Sequence, residues 1–109
     1  MRYLWWIVFA GVVLLGTDAG AEDGKSLFKS LHCVTCHKAH TGRFNPSLSE
    51  IAWAYQGRES QLDSYLSGEA ESVVRPEKGE MMKRYIKRTK ALSDEQRKSL
   101  AEFILSHHD

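Results

Sequence analysis

The chain opens on an unbroken apolar run and then settles into short stripes of helical period. Residues 4–15 (LWWIVFAGVVLL) carry no charge, yet the run falls short of the roughly 18–20 residues that span a bilayer. Arg2 precedes it, and Ala19-Gly20-Ala21 follows with small residues at the spacing a signal peptidase needs. Residues 1–21 are therefore read as a secretory signal peptide cleaved after Ala21, with an uncleaved signal anchor as the alternative. Beyond it, apolar positions recur at three- and four-residue spacing. Leu27, Phe28 and Leu31 predict a helix over 22–31. Leu48, Ile51, Ala52 and Tyr55 predict a second over 47–55, ended by Gly57. Leu62, Tyr65 and Leu66 predict a third over 59–66, with Gly68 at its end. Tyr85, Ile86 and Thr89 mark the inner side of a short helix over 82–90. Ser93, with Gln96 three residues on, is a capping box. It opens a last helix with Leu100, Ala101, Ile104 and Leu105 as its stripe and Phe103 on its flank. Polar loops fill 38–46 and 70–79. Alternation of β-branched residues is almost absent, so the expected fold is all-α, four to five short helices.

Length and charge narrow this further. A chain of 109 residues with 42% hydrophobic and 27% charged positions holds one small domain, residues 22–109 after the leader. Lys and Arg total 15 against 14 Asp and Glu. That balance argues against nucleic acid as a partner and against an acidic solvating tail. Two cysteines cannot build a disulfide-dense scaffold. A domain this short buries a modest core and generally needs a staple such as a metal or cofactor.

Cys33-Val34-Thr35-Cys36-His37 supplies the candidate staple, because C-x-x-C-H is the attachment sequence of c-type haem. Cysteines three apart lie about one helical turn apart on one side, so each sulfur can form a thioether to one porphyrin vinyl group. His37 follows directly as the proximal iron ligand. Three other readings were weighed. A Cys33–Cys36 disulfide suits an oxidising compartment. A thioredoxin-like pair needs a βαβ context that is missing. A zinc site needs a second ligand pair, and His32, His40, His107 and His108 lack finger-like spacing. The export leader, the helical pattern and the confinement of both cysteines to this motif favour haem c.

With these residues in view, residues 22–109 resemble the class I c-type cytochromes, small soluble monohaem electron carriers. Gly24-x-x-Leu27-Phe28 resembles the family's first helix, where a glycine and an aromatic cross the last helix. Pro46-Ser47-Leu48 resembles its G-P-x-L turn, with Asn45 where glycine is usual, and Leu92-Ser93-Asp94-Glu95 resembles the start of its terminal helix. The resemblance implies one covalent haem c wrapped by the helices. It assigns the Pro46 carbonyl to accept the Nδ1 proton of His37. It also implies a downstream methionine as second axial ligand, and only Met81 and Met82 are available after the leader. Met82-Lys83-Arg84 matches the family's Met-x-Arg form, which favours Met82 over Met81. A bis-histidine site is the alternative, though His40 lies too near His37 and His107 and His108 end the chain.

The implied function is one-electron transfer between redox proteins in the periplasm, with no substrate site, no enzyme activity and no stable membrane insertion once the leader is removed. Two alternatives were carried: a haem c subunit of a periplasmic dehydrogenase, for instance one oxidising sulfur compounds, and a ligand-binding or peroxidase-type haem protein with an open sixth position. Lys83, Arg84, Lys87, Arg88 and Lys90 form a basic segment that is either a docking patch for an acidic partner or a solvated helix face. Arg43, Arg58 and Arg75 are candidate propionate partners or plain surface arginines. Trp53 and Tyr55 are candidate porphyrin-packing residues or ordinary core aromatics.

Overall fold

The computed structural model describes residues 19–108. Within them lie five α-helices: α1 (Ala19–Ser30), α2 (Leu48–Ala54), α3 (Glu59–Leu66), α4 (Gly79–Lys90) and α5 (Asp94–Leu105). One-turn 3-10 helices sit at Cys33–Thr35 and Pro76–Lys78, and there is no strand among the described residues. The leader lies outside the described residues apart from its last three, which fall in the first turn of α1. Among the described residues no helix is long and apolar enough to cross a membrane.

The helix ends follow local chemistry. Ser93 Oγ accepts from the Gln96 amide at 3.1 Å, and the Gln96 side chain accepts from the Ser93 amide at 2.9 Å. Two otherwise orphaned donors are thereby satisfied at the head of α5. Ser47 caps α2 in the same way, accepting from the Glu50 amide at 3.0 Å. Gly57 and Gly68 leave α2 and α3 with φ of +74° and +83°, a conformation that side chains disfavour. The predicted start of α4 was a turn too late. Pro76 nucleates a 3-10 turn that feeds Gly79, so the helix forms ahead of the apolar positions that signalled it.

The core sits where α1, α2 and α3 meet α5. Phe28, Leu62, Leu100, Ala101 and Ile104 are all buried there. The Phe28 and Phe103 rings pack with centroids 5.3 Å apart, an aromatic pair adding about 0.5–1.5 kcal/mol beyond area burial. Gly24 lets α1 touch α5 directly, since a Cβ there would lie 2.1 Å from the Ser99 carbonyl oxygen.

A second junction is polar. Arg97 is buried on α5 and pairs with Asp63 of α3 at 3.2 Å and with Asp94 at 2.6 Å. It also donates to the carbonyls of Thr89 and Lys90 at the end of α4 and of Leu92 just beyond it. Thr89 in turn donates to the Leu66 carbonyl, so α3, α4 and α5 share one hydrogen-bonded joint. A buried guanidinium persists only with partners of this kind. Nothing in the helical pattern marked Arg97 out.

Candidate haem site

The wall that carries the motif begins where α1 stops. His32 takes φ +66°, which ends the helix. The Cys33 carbonyl then accepts from both the Cys36 amide at 3.2 Å and the His37 amide at 3.0 Å. The first of these bonds closes a 3-10 turn over Cys33–Thr35, and the second, of α-helical span, brings His37 back over Cys33. Cys33, Cys36 and His37 all line one cavity of about 460 Å³, a size typical of a bound organic group. Both cysteines are free. Burial pushes the Cys33 thiol up to about 11, which keeps it protonated at neutral pH and disfavours thiolate chemistry such as disulfide exchange or zinc binding.

The loop after His37 is closed at its base, where the Leu48 amide donates to the Lys38 carbonyl at 2.7 Å and the Ser49 amide to the Ala39 carbonyl at 3.0 Å. Its inner face presents the Pro46 carbonyl 2.8 Å from His37 Nδ1. With Nδ1 donating there, Nε2 of this buried imidazole keeps its lone pair free for a metal.

The first turn of α4 also reaches the cavity. Met81 and Met82 both line the cavity. Met81 is 64% exposed, whereas Met82 is half-buried. The rest of the lining is mostly apolar, with Leu48, Ile51, Leu66 and Val74 among its members. Burial also drives the Tyr65 phenol of this wall up to about 12, so it stays neutral.

The remaining expectations separate. Tyr55 is buried at 1% exposure and lines the cavity, and its hydroxyl accepts from the Val73 amide at 3.1 Å, pinning the adjoining loop. Trp53 is 59% exposed with His108 at its edge, because Leu48, Ala52 and Tyr55 take the inner face of α2. It packs on no cavity wall. Arg75 lines the cavity but forks onto Glu50 at 2.7 and 3.1 Å. Arg43 and Arg58 do not line it. His107 is half-buried rather than solvated, with Nδ1 donating to the Phe103 carbonyl and its ring edge on Phe103. Among the described residues no group of three or more His, Cys, Asp or Glu is arranged to hold a metal ion.

Two sulfurs, an oriented imidazole and two methionines around one largely apolar cavity fit a covalently bound haem c, and with five helices and no strand among the described residues they define a class I c-type cytochrome. A family model described as Cytochrome c matches residues 21–108, and the chain belongs to that family. It is also similar to cytochrome c-551 of Stutzerimonas stutzeri, 39% identical over 54 residues. That match covers 50% of this chain and 52% of the relative, so the chain spans about half the length of the curated relative it matches.

Proposed function

We propose that this chain is a periplasmic one-electron carrier whose haem iron is held by His37 and Met82. The observation that carries the reading is the 2.8 Å hydrogen bond from His37 Nδ1 to the Pro46 carbonyl. It sits in the cavity that also receives both free cysteines and the half-buried Met82. When bound, the haem supplies a ferrous/ferric couple. The chain's own residues do the rest. Cys33 and Cys36 fix the group by two thioethers. Pro46 holds the His37 ring in one orientation and raises its basicity as a ligand. Met82, a soft thioether, would be the second protein ligand to the iron and would raise the reduction potential. Leu48, Ile51, Leu66 and Val74 exclude water, which keeps reorganisation around a changing charge small. His37 and Met82 together would leave the iron no position for a substrate, which supports a carrier rather than an enzyme. The leader at 1–21 delivers it to the periplasm, where reduced Cys33 and Cys36 meet haem.

A pyridine haemochrome spectrum of the matured protein tests this directly. It is expected to report haem joined by two thioether bonds. A haem b spectrum, or no haem, would end the carrier assignment.

The basic segment is assigned to docking of an acidic redox partner. Lys83, Arg84, Lys87 and Arg88 are all exposed on α4, and Arg84 also lines the cavity, so positive charge extends to its rim. Glu80 offsets part of it through an ion pair with Lys83 at 2.8 Å, and the bond holds the Lys83 ammonium above its ordinary pKa. Arg84 and Arg88 lie over the Tyr85 ring at 6.0 and 5.2 Å, which limits their motion. Changing Lys87 and Arg88 together to glutamine is expected to slow association with an acidic redox protein roughly tenfold at low salt. The difference should vanish at high salt. Equal rates at low salt would return the segment to a solvated face.

A further inference from the structure

The loop that carries Pro46 is gripped by two cations that also line the cavity. Arg75 Nη2 donates to the Gly42 carbonyl at 3.0 Å and Nη1 to the Arg43 carbonyl at 3.4 Å. Lys78 Nζ donates to the Phe44 carbonyl at 2.6 Å. Three consecutive carbonyls thus turn to cations from one short segment, while the Pro46 carbonyl turns to His37. The loop between them is tightly folded, since a Cβ on Gly42 would stand 2.4 Å from the Ser47 nitrogen and 2.5 Å from the Asn45 oxygen. A shift of those three carbonyls therefore has no slack to absorb it before Pro46.

Arg75 is itself fixed. Its Nε and Nη2 fork onto the Glu50 carboxylate at 3.1 and 2.7 Å, and Glu50 stands in the capped first turn of α2. Its φ of +46° is one that a residue with a side chain adopts only when its surroundings impose it. A planar fork is suited to holding a carboxylate and two carbonyls at once, and a lysine is not.

We propose that Arg75, Glu50 and Lys78 form a clamp that sets the hydrogen bond from His37 to Pro46. They are positioning residues that act on His37 through the loop. The segment holding Arg75 and Lys78 continues directly into α4, so the same clamp ties the loop that orients His37 to the helix that carries Met82. The clamp rests on the assignment of His37 as an iron ligand. Weakening it loosens the Pro46 bond, lowers the basicity of the imidazole and so favours the ferrous state.

The test uses the matured, haem-bearing protein with Glu50→Gln or Arg75→Lys, and Asp63→Asn as a control. The control loosens the Arg97 joint between α3 and α5 and leaves the loop alone. In both clamp variants the His37 Nδ1 proton, followed by NMR in the reduced protein, is expected to exchange at least roughly tenfold faster, and the reduction potential is expected to rise. The control should stay within about twofold of the parent in exchange, even where its melting temperature falls. Exchange that is unchanged in the clamp variants, or equally fast in the control, overturns the clamp while the carrier assignment stands. A chain that acquires no haem overturns both.

Discussion

Replacing Met82 with alanine abolishes the ferric methionine charge-transfer band and lowers the reduction potential by about 0.1–0.3 V, a share of the roughly 0.8 V that axial ligation spans. The expectation follows from the site. Met82 is half-buried and lines the cavity, while Met81 beside it is 64% exposed. A thioether on the iron favours the ferrous state, and alanine supplies nothing in its place. The variant also opens the sixth position, so carbon monoxide binds its ferrous form rapidly where the parent resists it. Met81→Ala is expected to leave band and potential unchanged. Loss of the band in Met81→Ala alone would move the ligand by one residue. Loss in neither variant would favour the bis-histidine site.

The contrast between these two methionines marks how far the sequence could be read. Local signals were legible. The Ser93 and Gln96 capping box, the apolar stripes of α2, α3 and α5, and the C-x-x-C-H motif each sit within a few residues and act through local geometry. Pro46 entered through a family resemblance and lies 2.8 Å from His37. What escaped were charge pairs joined by the fold. Glu50 and Arg75 are separated by 25 positions, and Asp63 and Arg97 by 34. Each looks like an ordinary surface charge until its partner arrives. The extra turn of α4 escaped for a different reason. Gly79 and Glu80 carry no apolar signal, and their helicity is imposed by the 3-10 turn at Pro76. Trp53 misled because composition marks a tryptophan as core, whereas the period of α2 sets it on the solvent side.

The largest loss of stability is expected from Gly24→Ala. The added Cβ would stand 2.1 Å from the Ser99 carbonyl oxygen and 2.7 Å from the Phe103 Cβ. The first of these is backbone in the middle of α5, so no rotamer change relieves the clash. The helices must separate, and Phe28 then loses contact with Phe103, a pair whose ring centroids are 5.3 Å apart. Overpacking in a core costs about 1–3 kcal/mol, and a collision with backbone belongs at or above the upper end. For a domain of this size about 3 kcal/mol lowers the melting temperature by roughly 12–24 °C. Thermal unfolding followed at the haem absorbance and by far-ultraviolet circular dichroism measures it. The His37–Pro46 bond lies on other elements, so the reduction potential of the folded variant should stay near that of the parent. A melting temperature within a few degrees of the parent would mean that α1 and α5 can part without cost, and that the crossing of these two helices is not what holds the fold around its haem.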